Sequence, residues 1–349
     1  MADAAVRARR SGRRPSAKRG IGPGTIVGLL VGVLGLASLF AVRAFTTRID
    51  GPTLPDAAQD LLTLTYSVII ESLPFVLLGI VVSILVQVWV PDQWIVKVLP
   101  KNATLRRVVV SFLGMFLPVC ECGNLPLARG MMAKGFTVSE SMTFLLAAPI
   151  LNPITIITTH QAFGFDDGIL VARLLGGFAI ANLIGWLYSK HPDQDSLLTD
   201  RFAAECALPD PHEQRQTKAQ KSVELFVRET GVIMPALFIG ALLAGLVQVL
   251  VPRAVLVNLG SNPIWSILAM MVLAFVISVC SNVDAFFILP FASTFMPGSI
   301  VTFLVFGPIV DIKMLAMMRT TFTTRTLVQL TLVVALVSAA IGLVVNYVA

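Results

Sequence analysis

The residues that could do chemistry lie in two short stretches, Leu117-Pro-Val-Cys-Glu-Cys-Gly-Asn-Leu-Pro126 and Thr143-Phe-Leu-Leu-Ala-Ala-Pro-Ile-Leu-Asn-Pro153. The first sets two thiols, a carboxylate, an amide and helix-breaking prolines inside an otherwise apolar run. An ionisable side chain near the bilayer centre costs roughly 2.5–3.5 kcal/mol on insertion scales, and a broken helix frees backbone groups that need partners. Such a break is tolerated where it is buried in protein or lines a cavity, so this stretch is the candidate substrate site of a membrane transporter. Thiolates are soft donors, suited to trivalent arsenic, monovalent copper or zinc and not to calcium or magnesium. On one regular helix Cys120 and Cys122 would point about 200° apart and could not share a ligand. Gly123, with Pro118 and Pro126 on either side, permits the turn that would bring them together.

Cys280 could supply a third sulfur, which makes Cys120, Cys122 and Cys280 the candidate ligands of a thiophile. Glu121 could take a proton and so couple transport to a proton gradient, and Asp284 and Asp311 could do the same. Each has a plainer reading: Glu121 as an acceptor for backbone donors at the break, Asp284 as a structurally paired acid, and Asp311 as a group neutralised by Lys313 or Arg319. Asn152 and Asp311 follow Pro149 and Pro308, where they could line a cavity or cap broken helices. Asn124 and Asn282 complete the substrate-binding set. The side that Glu71 faces is left open.

These groups are set in a chain of 349 residues, 56% hydrophobic and 13% charged, with a mean hydropathy of +0.84. That composition excludes an ordinary soluble domain and implies an all-α polytopic membrane protein. The net charge of +6 does not imply nucleic acid, because the basic residues sit in an N-terminal tail and in loops between apolar runs. Four cysteines, three in apolar segments and one in a polar loop, form no disulfide framework. No nucleotide-binding motif is present, so energy would come from an ion gradient or a partner ATPase. No cofactor and no enzymatic activity are expected, and the expected partners are the lipid bilayer and a small-molecule or ion substrate. Whether the chain forms a homo-oligomer or takes an accessory protein is open.

In order, residues 1–24 read as a disordered basic cytoplasmic tail and 25–45 as a retained transmembrane helix. Residues 61–190 and 223–349 then say the same thing twice, joined by a polar cytoplasmic linker, 191–222, with no folded domain of its own. Pro74, Gly79 and Leu85-Val-Gln-Val-Trp-Val-Pro91 recur as Pro235, Gly240 and Leu246-Val-Gln-Val-Leu-Val-Pro252. Val119-Cys120 recurs as Val279-Cys280, and Thr143-Phe-Leu-Leu-Ala-Ala-Pro-Ile-Leu-Asn152 as Thr302-Phe-Leu-Val-Phe-Gly-Pro-Ile-Val-Asp311. Repeats of this kind mark transporter folds whose site lies at the repeat interface on interrupted helices.

Each repeat reads as a spanning helix, an interrupted element and two more spanning helices: about 66–90, 107–134, 138–160 and 168–189, then about 231–251, 263–296, 299–318 and 327–348. The interrupted elements either cross the membrane once or dip in and return as hairpins. The hairpin alternative puts Lys97, Lys101, Arg106, Arg107, Arg129, Lys134, the linker, Arg319 and Arg325 on the cytoplasmic side and Asp166 and Asp167 outside. It is favoured by the positive-inside bias and makes the repeats inverted. His191 and His212 fall in the linker and His160 at a helix end, none of them a designed metal site.

The block Pro118-Val-Cys-Glu-Cys-Gly, followed by Pro126, Gly130, Lys134-Gly135 and Phe144-Leu-Leu-Ala-Ala-Pro149, resembles the predicted-permease family that includes the ArsP-type organoarsenical efflux permeases. The resemblance covers most of residues 61–349. It implies a multi-pass permease of the bacterial inner membrane, in some members exporting trivalent arsenicals through membrane cysteines, with Cys120 and Cys122 as thiol ligands here. Glu121 departs from the small residue usual between the paired cysteines. The expected function is therefore a secondary transporter or exporter of a small thiophilic solute, an organoarsenical or a soft metal species. The rival readings are a membrane thiol-disulfide oxidoreductase using Cys120 and Cys122, or an accessory subunit of a membrane complex.

Overall fold

A computed structural model of the chain describes residues 56–91, 100, 102–116, 120–165, 168–207, 217–250, 263–292 and 294–348. The expected tail (1–24) and first helix (25–45) lie outside the described residues, as do Lys97, Lys101, Leu117 to Val119, Asp166, Asp167, His212 and Pro252. Apart from one isolated β-bridge, the described residues form helices and turns.

Among the described residues, four helices are long and apolar enough to cross a bilayer: α1 (Asp56–Ile84, continued by a π-helical turn over Leu85–Trp89), α6 (Ile169–Ser189), α8 (Lys218–Leu250) and α13 (Thr324–Val348). Between α1 and α6 lie α2 (Ala103–Ser111, with a 3-10 turn Phe112–Phe116), α3 (Glu121–Ala133), α4 (Val138–Ala147) and α5 (Pro153–Phe163). After α6 come the short α7 (Asp200–Ala207) and then α8. Between α8 and α13 lie α9 (Pro263–Ile277), α10 (Asp284–Ile288, with a 3-10 turn Leu289–Phe291), α11 (Pro297–Phe306) and α12 (Ile312–Met318). Both halves thus run long helix, broken pair, broken pair, long helix. The chain is an all-α polytopic membrane protein.

The breaks follow from the sequence. Cys120 has extended backbone and starts α3 without joining it. Asn152 and Asp311 each turn a side-chain oxygen onto the first turn of α5 and α12, at Ile154 N and Met314 N. Pro153 holds the first helical position of α5, where no amide hydrogen is needed. Thr137 and Glu140 form a reciprocal capping box at the start of α4.

Side-chain contacts fix the path of each broken pair. Arg106, early in α2, pairs with Glu140, early in α4. Lys134, just past α3, donates to the Val90 carbonyl at the end of α1, 3.1 Å away. The outer ends of α2 and α3 therefore both lie at the Trp89 end of the bundle, and the two helices pair as a hairpin whose inner end carries Cys120. In the second half Ser266 and Ser299, near the starts of α9 and α11, meet at 2.7 Å. The Gly298 amide bonds Asn346 at the far end of α13, so 263–291 dips in from the opposite end. In contrast, α4 and α5 together cross the bundle, because Gly185 and Gly177 of antiparallel α6 pack on Thr143 and Ile150 while Thr159 meets Arg173.

Two glycines at matched places let backbones approach closely where lipid supplies no hydrophobic drive for helix association. A Cβ on Gly79 of α1 would run into the Gly123 carbonyl of α3, and one on Gly240 of α8 would lie 3.0 Å from the Lys313 carbonyl.

Three expectations need correction. The spans read at 138–160 and 299–318 are each broken in two, into α4 with α5 and α11 with α12, where Pro149 and Pro308 precede the caps Asn152 and Asp311. The long helices α1 and α8 begin at Asp56 and Lys218, well before residues 66 and 231, because polar residues extend each apolar stretch as regular helix beyond it. The linker is also partly folded. A 3-10 turn at Gln194–Leu197 and helix α7 pack under the Trp89 end, and Leu198 bridges Phe322. Leu197, Leu198 and Phe202 supply the apolar contacts that a purely polar linker would lack.

Candidate functional site

Glu121 opens α3 at the turn of the first hairpin and lies at the centre of a buried cluster contributed by four elements. Its Oε1 accepts from Lys313 Nζ of α12 at 3.2 Å. Its Oε2 accepts from the Ser281 hydroxyl at 3.2 Å, the Ser281 amide at 3.4 Å and the Cys280 thiol at 3.7 Å. Cys280 and Ser281 form the turn of the second hairpin. That turn begins at Ser278, whose φ of 53° is the one left-handed non-glycine residue among those described. Such strain persists only where the surroundings enforce it, and it gathers at functional sites.

The sulfurs of Cys120 and Cys280 and a carboxylate oxygen of Glu121 all lie within 4.8 Å of one another, in a group that could hold a metal ion. Because Cys120 stays outside the helix, its thiol comes within interaction reach of both Cys122 and Cys280. Cys122 points mainly toward α1, where its thiol donates to the Ser72 hydroxyl at 3.7 Å. All three are free, buried thiols. The donor set of two or three sulfurs and one carboxylate suits a soft centre.

The remaining candidates divide. Asp311 caps α12, with Lys313 and Glu121 in electrostatic reach. Lys313 is thus shared between two carboxylates, and its direct partner is Glu121. Asn152 caps α5. Asn282 accepts from Thr155 of α5 at 3.4 Å. Asn124 is fully buried, and neither polar atom of its side chain has a partner among the described residues. Asp284 is held apart from the thiols in a two-pronged pair with Arg173 of α6, at 2.6 Å and 3.0 Å. Glu71 is exposed on α1 yet within electrostatic reach of Lys313 and Glu121.

Sequence reasoning missed Arg173 altogether, although an arginine inside the apolar run of α6 was the available signal. It also missed a second buried ion cluster. Arg129, two turns along α3 from the thiols, bonds Glu229 of α8 at 2.8 Å, Glu205 of α7 at 3.2 Å and Thr321 at 3.0 Å. Its guanidinium lies 4.1 Å from the ring centre of Phe202. This cluster ties the helix carrying the thiols to the linker. Cys206, in α7 beside it, is half-buried, and burial pushes its thiol up to about 11. His160 packs on Phe165, with ring centres 4.3 Å apart, and His191 bonds the Asp193 carbonyl.

The chain is 34% identical over 289 residues to a Streptococcus mutans protein named as a candidate subunit of a two-component membrane permease complex, covering 79% of this chain and 91% of that protein. It is 36% identical over 264 residues to the UPF0718 protein YcgR of Bacillus subtilis, covering 74% and 87%. A shorter match, 29% identical over 116 residues, covers 32% of this chain and 32% of the UPF0718 protein YraQ of Escherichia coli. No solved structure matches. The sequence profile described as a predicted permease matches residues 57–347, nearly the whole described bundle, and the chain belongs to that predicted permease family.

Proposed function

We propose that this permease is a secondary transporter of a small thiophilic solute, bound where the turns of its two re-entrant hairpins meet. One observation carries the reading: Cys120, Cys280 and Glu121 converge within 4.8 Å in the interior, from hairpins 159 residues apart in sequence. A cluster of thiols and ion-paired groups at membrane depth is costly unless it is used. The matched element order and the opposite entry of the hairpins support two inverted repeats, 61–190 and 223–349, with the site at their interface. The concentration of Arg106, Arg107, Lys134, Lys190, Lys218, Arg319 and Arg325 at the Trp89 end supports a cytoplasmic assignment for that end.

The test is accumulation of arsenite, a trivalent organoarsenical and copper(I) in everted membrane vesicles, comparing the native chain with Cys120→Ser and Cys280→Ser. Accumulation of a thiophile by the native chain, lost in both variants, is the expected result. Transport of none of them, or transport indifferent to both substitutions, overturns the reading. The two-component description of the Streptococcus mutans relative favours a second reading, in which this chain conducts only with a partner subunit. Native vesicles that become active only when a co-expressed membrane protein is added back would select it.

A further inference from the structure

Asn124 lies one turn into α3, three residues beyond Glu121 and four beyond Cys120, so it shares their face of the helix. Its backbone amide bonds the Cys120 carbonyl at 3.2 Å, which fixes that register. The side chain is fully buried, and its nitrogen and oxygen both lack partners among the described residues. A buried carboxamide with neither donor nor acceptor met loses the hydration of both groups and recovers nothing. Asp284 occupies the corresponding place in the second half, four residues beyond Cys280, and Arg173 occupies both of its oxygens. The long helix that corresponds to α6, α13, has no basic residue after Arg325 to serve Asn124 in the same way.

We infer that the Asn124 carboxamide binds an oxygen of the permeating solute, so that the solute is a thiophile that keeps a hydroxyl group and not a bare soft cation. This rests on the thiol-site reading above. A bare soft cation is held by the sulfurs, is a poor match for the hard amide oxygen and offers nothing to the NH2, so both groups stay unmet. A hydroxyl accepts from the NH2 and donates to the carbonyl, satisfying both. A neutral trihydroxy thiophile fits the cluster. Two thiols each replace one hydroxyl, the displaced hydroxyl leaving as water with the thiol proton; no electron changes hands, and the third hydroxyl remains for Asn124.

Arsenite and copper(I) serve as probes, since both are thiophilic and only the first carries hydroxyls. Binding of each is measured by titration calorimetry on the full chain in nanodiscs, for the native protein, Asn124→Leu and the smaller Asn124→Ala. Neither variant loses a protein partner and Asn124→Leu removes two unmet polar groups, so its thermal unfolding without ligand should be no lower than that of the native protein. The expected result is arsenite binding weakened by about tenfold or more, with copper(I) binding unchanged. Arsenite binding that is unchanged, or that falls in step with copper(I), makes Asn124 a packing residue and overturns the inference alone. Native protein that binds neither probe overturns the thiol-site reading itself, and the inference with it.

Discussion

Lys313 and Glu121 form an ion pair, Nζ to Oε1 at 3.2 Å, that closes 192 residues of chain and joins the first hairpin to α12 inside the bundle. Removing one member of a buried pair leaves the other uncompensated, at a cost of about 3–5 kcal/mol. Lys313→Met should therefore unfold at a markedly lower temperature in detergent, while the double variant with Glu121→Gln recovers most of the loss. A Lys313→Met single variant as stable as the native chain would remove this pair as a source of stability.

Arg129 gathers Glu229, Glu205, Thr321 and Phe202 from three different parts of the chain. Its replacement by Met strands two carboxylates and should cost about 3–5 kcal/mol. Glu205, more exposed than Glu229, should contribute less, so Glu205→Gln is the milder change. Limited proteolysis of residues 193–207 reads the same event: the segment should be cut faster in Arg129→Met. Equal cutting rates in native and variant protein would remove Arg129 as the anchor of the linker.

Asp311 caps α12 through Met314 N. Asn caps a helix about as well as Asp, whereas Ala typically costs about 1 kcal/mol. Asp311→Asn should keep the native unfolding temperature and Asp311→Ala should lower it. Transport measured on the stable Asn variant then isolates the charge, and a loss there would assign Asp311 a role beyond the cap.

Gly79 is the place where the backbone of α1 comes against that of the helix carrying the thiols, at Gly123. An added methyl would meet the backbone at Gly123, which cannot yield as a flexible side chain can, and overpacking of this kind costs about 1–3 kcal/mol. Gly79→Ala should destabilise the protein and reduce transport together. The same substitution at Gly135, where a Cβ meets nothing but φ is +95°, should show a backbone penalty without the transport defect.

Cys206 lies outside the membrane-spanning helices, and burial raises its thiol to about 11. At pH 8 roughly one molecule in a thousand then carries the thiolate, the form that reacts with alkylating agents. In a chain with Cys120, Cys122 and Cys280 replaced by Ser, iodoacetamide labelling should be slow at pH 7.5 and rise about tenfold per pH unit through pH 9.5. Labelling at the rate of a free cysteine near neutral pH contradicts the buried placement of α7.

The sequence by itself determined what is local. Apolar runs specify the long helices α1, α6, α8 and α13 among the six spans read in the two repeats, Pro149 and Pro308 mark the breaks in the other two, and Asn152 and Asp311 are suitable caps beside them. The matched spacings around Cys120 and Cys280 made a shared site readable, because hydropathy, helix breaking and capping depend on a few neighbouring residues. Tertiary structure decided which charges meet. Glu121 takes Lys313, Asp284 takes Arg173, and Arg129 takes Glu229 and Glu205, over separations of 76 to 192 residues that no periodicity encodes. It also decided that the outer ends of α2 and α3 lie at one end of the bundle, since a run of that length fits either a crossing or a hairpin. The contacts of Arg106 with α4 and of Lys134 with α1 carry that arrangement, and no local pattern encodes them.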